Sequence, residues 1–95
     1  MKKAKKVARL FLLVIASDKN KVLEFWLGQD ISNLKGGDLK RSDAVILKKT
    51  DELAKKYPHP RYEIILGMAP DVIAVKKAFS DVTGWDKVPV SSFKL

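Results

Sequence analysis

Val7-Ala8-Arg9-Leu10-Phe11-Leu12-Leu13-Val14-Ile15-Ala16 is apolar everywhere except Arg9, with no alternation of wet and dry positions. A strand that buries one face alternates polar and apolar side chains, whereas a run apolar on both faces reads as a central strand covered on two sides. Ser17-Asp18-Lys19-Asn20-Lys21 follows as a polar turn cluster, and Val22 to Leu27 returns to β-forming residues, including Phe25 and Trp26. The preferred reading is a β-hairpin with strands near 7–16 and 21–28. The competing reading starts a helix at Ser17-Asp18, which cap helices well, and puts Val22, Phe25 and Trp26 on one face.

Downstream, Gln29 to Lys40 holds Ser32-Asn33 and Gly36-Gly37-Asp38 and reads as a loop, with room for a short third strand at its start. Ser42 then caps a predicted helix, with Asp43 in its first turn. Ile46, Leu47, Thr50, Leu53, Ala54 and Tyr57 fall on one face at helical spacing. Asp51–Lys55 and Glu52–Lys56 are supporting i,i+4 pairs. Pro58-His59-Pro60 ends the helix, because proline cannot continue it. Tyr62 to Gly67 reads as a short internal strand. Pro70 suits the first turn of a second helix, with Asp71 beside it; Val72, Val75, Phe79 and Val82 form its buried stripe and Gly84 its stop. Val88 to Phe93 offers a last edge strand, since Pro89 bars a central one. The order β-β-(β)-α-β-α predicts an α/β (α+β) domain of ribonuclease-H-like order. Its mixed sheet would combine the antiparallel hairpin with a parallel pair made by a strand–helix–strand crossover.

Ninety-five residues suit one small domain, read as a basic arm over 1–6 and a single α/β domain over 7–95. With no cysteine there is no disulfide framework, Cys-type zinc site or thiol chemistry, and the single His59 leaves little for imidazole catalysis. No residue pattern calls for a cofactor. The net charge is +8. Lys2, Lys3, Lys5, Lys6 and Arg9 supply five cations before any acid, so the remaining fourteen face all eleven acids and leave +3. Lys2 to Arg9 followed by Leu10–Ala16 mimics a secretory signal, but the apolar run is short and no small-x-small cleavage site follows. A membrane span needs about 20 apolar residues and none is present, so the expected setting is cytoplasmic.

A basic arm on a mildly basic body suits a polyanion partner. On the helix from Ser42, Arg41, Lys48 and Lys55 recur every seven residues, with Lys49 and Lys56 beside them and Lys40 just before. Several cations on one rigid surface are what phosphate binding requires, since each neutralised phosphate releases counterions; a solvated helix face is the plain alternative, and Glu52 dilutes the field. Gly36-Gly37, flanked by Lys35, Lys40 and Arg41, could bring backbone N–H groups close to an anion, or simply connect two elements. A two-metal nuclease would need converging carboxylates; Asp18 lies past the first strand, leaving Glu52 and Asp71 as partners. Trp26 or Tyr57 could stack on a base, and Trp85 with Phe93 either covers the sheet or offers a patch to a partner.

The run of elements resembles a known family. The hairpin of Val7–Leu27, then Lys35-Gly36-Gly37-Asp38-Leu39-Lys40-Arg41, a helix through Lys55-Lys56, the strand Tyr62-Glu63-Ile64-Ile65-Leu66-Gly67 and a helix with Lys76-Lys77 resemble the middle domain of archaeal and eukaryotic peptide-chain release factors and their ribosome-rescue relatives, over roughly residues 7–83. The resemblance implies a ribonuclease-H-like core and ribosome association. The family's release factors carry a Gly-Gly-Gln tip that positions water for peptidyl-tRNA hydrolysis; position 38 here is Asp, so release activity is not implied.

The leading expectation is therefore a small non-enzymatic domain that binds nucleic acid, RNA rather than DNA, through Lys2, Lys3, Lys5, Lys6, Lys35, Lys40, Arg41, Lys48, Lys49, Lys55 and Lys56. A protein-interaction module using the hairpin's outer edge or the C-terminal tail is the second expectation. A divalent-metal nuclease is the third.

Overall fold

The computed structural model describes residues 7–32 and 35–92. Two strands open the chain, β1 (Arg9–Ala16) and β2 (Lys21–Asp30), followed by α1 (Gly37–Lys56), β3 (Tyr62–Ala69), α2 (Val72–Ala78), a single 3-10 turn at Trp85–Lys87, and β4 (Val90–Ser92). The strands form one mixed sheet in the order β3-β1-β2-β4; β1 is antiparallel to both its neighbours and β4 is parallel to β2.

β1 is the central strand that its composition predicts. Phe11 to Ala16 are all buried, and the pleat sends them alternately to two separate cores. Phe11, Leu13 and Ile15 join Val22, Phe25, Ala69, Val75 and Val82 under α2. Leu12 and Val14 join Ile46 and Leu53 under α1. The domain is thus a helix, a sheet and a helix in three layers, with β1 as the wall between two hydrophobic clusters.

β2 departs from simple alternation. Val14 pairs with Glu24 but Ile15 pairs with Val22, so Leu23 is an extra residue, a β-bulge. Without it Val22, Glu24 and Trp26 would share a face. With it, Val22 and Phe25 stay under α2 while Leu23 and Trp26 pass to the α1 side.

Several expectations are corrected. No third strand precedes α1 among the described residues; β2 instead runs to Asp30. The strand after α1 pairs antiparallel to β1, so the expected adjacent parallel pair is absent there and the ribonuclease-H-like order is not confirmed: β2 and β3 run parallel but with β1 between them. β3, expected inside the sheet, is an edge strand, and the hairpin's own outer edge is covered by β4. α1 starts at Gly37, five residues before Ser42, which is a buried helical residue; Leu47, expected on the buried face, is exposed. Asp71 rather than Pro70 marks the start of α2, its carboxylate accepting the Ala74 N–H at 2.9 Å, and α2 ends at Ala78, well before Gly84. Gly84 instead sits at φ 89° and opens the 3-10 turn. The hairpin, the end of α1 before Pro58 and the short edge strand after Pro89 stand as expected. Among the described residues, no helix is long and apolar enough to cross a membrane.

Gly67 pairs with Phe11, whose ring tip reaches over it: a Cβ at position 67 would meet Cζ at 2.5 Å and Cε2 at 2.7 Å. The ring cannot swing away, because Phe25 and Phe79 hold it at centroid distances of 6.0 and 6.4 Å. Overpacking a filled core costs about 1–3 kcal/mol. Gly67→Ala is therefore expected to lower stability by that amount, read as a drop in the urea midpoint; an unchanged midpoint would show that the Phe11 ring is free to move.

Candidate nucleic-acid interface

The outward face of α1 carries Arg41, Lys48 and Lys55 opposite the buried Ser42, Ile46 and Leu53, as the seven-residue spacing requires. Lys40 is exposed on the same helix and Lys35 just before it. Asp51 and Glu52 interrupt the row, and Arg41 pairs with Asp38 at 3.4 Å, both side chains more than half exposed. An ion pair that wet contributes little, so Arg41 remains available to a ligand. Lys2, Lys3, Lys5 and Lys6 lie outside the described residues.

Lys49 and Lys56 do not extend this row; they turn sideways onto β2. Lys49 Nζ lies 3.7 Å from the centroid of the Trp26 ring and 3.6 Å from Glu52. Lys56 Nζ donates to Glu24 at 3.0 Å. Glu24 anchors this junction: it also accepts from the Trp26 indole N–H at 2.9 Å and from the Tyr57 hydroxyl. The bulge at Leu23 is what aims Glu24 at α1. Burial alone would push the Glu24 carboxyl up, but donors from Tyr57, Trp26 and Lys56 together hold it below the usual carboxylate range. The bond to Glu24 raises Lys56, while partial burial, then the bond to Glu24, raise Tyr57.

The topology gathers a second set of cations at the hairpin-turn end of the domain. α1 ends there, with Tyr57 against Tyr62 at the start of β3 (centroids 5.2 Å apart). Ser17 N–H donates to Arg61 carbonyl at 3.1 Å, which ties the turn to the connection after α1. The chain leaving α2 returns to the same place: Thr83 N–H donates to Asn20 carbonyl at 3.0 Å, and Asn20 donates to Asp81 carbonyl at 2.9 Å. Each helix carries two lysines in its last turn, Lys55 and Lys56 on α1 and Lys76 and Lys77 on α2, where the helix dipole favours positive charge. With Lys19, Lys21 and Arg61, that makes seven exposed cations across residues 17–21, 55–61 and 76–83, against Asp18 and Asp81. An open cleft of about 330 Å³ on the α1 side of the sheet has three of them, Lys19, Lys21 and Arg61, in its walls with Asp18 and Tyr62, while Lys76 and Lys77 lie on α2, which packs on the other face.

The carboxylates proposed for a nuclease do not converge. Asp18 sits in the hairpin turn, Glu52 on the outer side of α1 beside Lys49, and Asp71 at the opposite end of the domain capping α2. Among the described residues no three His, Asp or Glu side chains come together. Trp85 covers the sheet rather than presenting a patch: its ring meets Phe25 at 5.6 Å and its indole N–H donates to Phe79 carbonyl. Phe93 lies outside the described residues.

The chain matches no protein-family model, and neither a curated protein nor a solved structure matches it.

Glu24→Gln tests the junction. The depressed carboxyl stabilises the fold above its unfolded range near pH 4 and loses that contribution as pH falls through the folded value. At neutral pH the variant is expected to be about 1–2 kcal/mol less stable than the parent, since the bonds at Glu24 lose their charge. In urea melts the gap should narrow as the pH falls from neutral through the unfolded carboxylate range of about pH 4. A gap that persists at the acid end would mean that packing, not ionisation, holds this junction.

Proposed function

We propose that this domain binds nucleic acid, RNA in preference to DNA, through phosphate contacts centred on the basic end just described. The observation that carries the reading is the common endpoint of both helices and the hairpin, which concentrates Lys19, Lys21, Lys55, Arg61, Lys76 and Lys77. Phosphate recognition needs a rigid surface on which cations outnumber acids, because affinity derives from counterions displaced from the polyanion. Lys48, Lys55 and Arg41 on the outer side of α1 lead away from the cleft and extend the track; Lys49 and Lys56, tied to β2, shape it rather than reach out from it. Tyr62 in the cleft wall supplies a ring for one unstacked base, which favours single-stranded RNA over a closed duplex. The resemblance to release-factor middle domains points to the same class of partner and, with it, to the ribosome. No catalytic step is assigned.

The test is a salt titration of binding, by fluorescence anisotropy of the full chain with single-stranded RNA, duplex RNA and duplex DNA. Affinity is expected to fall linearly in log–log form. For single strands each phosphate contact contributes about 0.7 to the slope, so the triple variant Lys19→Gln/Lys21→Gln/Arg61→Gln should flatten it by about 2. Lys48→Gln should change it by less than 1. Binding that ignores salt, or a triple variant that binds like the parent, overturns the reading.

A further inference from the structure

The two edges of the sheet are not alike. β4 is three residues long and follows Pro89, a short and blunted edge. β3 is eight residues long, pairs with β1 without a register shift, and has neither charge nor proline from Ile64 to Met68. It therefore lacks the bulge, lysine or proline that ordinarily protects an exposed edge.

Among the described residues no strand pairs with its outer side, and the groups it leaves there can be assigned. In an antiparallel ladder alternate residues point both N–H and C=O toward the same neighbour. The bond from Ser17 N–H to Arg61 carbonyl fixes the phase: the odd residues of β3 bond to β1, so Ile64, Leu66 and Met68 direct theirs outward. The side chains of these three residues lie on the α1 side, where Ile64 joins the α1 cluster while Ile65 joins the other. Leu66 is 48% and Met68 59% exposed. Leu47 of α1 is 60% exposed and lies about 160° round the helix from Lys49, on the flank away from β2. It sits ten residues before Tyr57, about 15 Å along the axis, which matches four to five residues of β3 from Tyr62 and brings it level with Leu66.

We propose that a second copy of this chain occupies this edge, the two β3 strands pairing antiparallel about a two-fold axis through Leu66. That register sets Leu66 against Leu66 of the partner subunit and Ile64 against Met68 of the partner subunit, so apolar meets apolar on the α1 side and every outward donor between 64 and 68 meets an acceptor. About six backbone hydrogen bonds result, and the two sheets become one of eight strands. Leu47, Leu66 and Met68 of each copy close the furrow between the two α1 helices.

Sedimentation equilibrium of the full chain is expected to show a concentration-dependent rise toward twice the 10.7 kDa chain mass. Leu66→Lys, which sets like charges face to face, should hold the chain at monomer mass with an unchanged circular dichroism spectrum. The chain has no cysteine, so single replacements report contact directly. Leu66→Cys brings two thiols to a Cα separation of about 5.5 Å, within disulfide reach, and should cross-link on mild oxidation. Val90→Cys, on β4 and equally exposed at 48%, should not. A parent chain of monomer mass at every concentration, or Val90→Cys linking as fast as Leu66→Cys, overturns the proposal.

Discussion

The constraint on which the structure depends is that β1 has a neighbour on each side and a hydrophobic cluster on each face. Leu12, Leu13 and Val14 are fully buried, and burying a side chain of that size stabilises by about 1.5–3 kcal/mol. More important than the sum is the connectivity. Leu13 packs under α2 and Leu12 under α1, so displacing either helix removes the cover from one face of the same strand. A small domain with no disulfide gains its cooperativity this way, because neither half can open while the other keeps its core.

Docking of α1 illustrates how a polar junction refines an apolar one. Ile46 and Leu53 bring the helix to the sheet, but non-directional contacts leave its rotation and slide loosely fixed. Glu24, Trp26, Tyr57, Lys49 and Lys56 fix both, because the hydrogen bonds and the lysine–indole contact are directional. The bulge at Leu23 is the backbone feature that makes this possible. It also settles which lysines look outward: those nearest β2 are drawn into the junction, and the rest form the exposed row.

Much of the fold is legible in the chain because the relevant signals are local. A strand buried on both faces, a polar turn and a proline pair announce themselves within a few residues. The misreadings have equally local causes. The first turn of α1 is largely exposed, so the apolar periodicity begins only after the helix does, and Ser42 resembles a cap. Val82 is buried at helical spacing from Val75 although α2 has already ended, which makes the helix look longer. Tyr62–Gly67 reads as internal because an edge strand that leaves Leu66 exposed has the same composition as a covered one. The basic end is hidden for a different reason: Lys19, Arg61 and Lys76 are far apart in sequence, and only the pairing of β3 with β1 and the return of the chain after α2 unite them.

The inequality between the sheet's two margins limits how far such a molecule can polymerise. A strand stack with two receptive borders has no reason to stop growing and tends toward fibres. Among the described residues one border is long and bare while the other is stubby and bounded by an imino acid. Growth therefore has a single direction, and a symmetric pairing uses it up. The same asymmetry lets a chain tolerate an ungated row of backbone amides without becoming amyloidogenic, since the first neighbour it accepts also seals it.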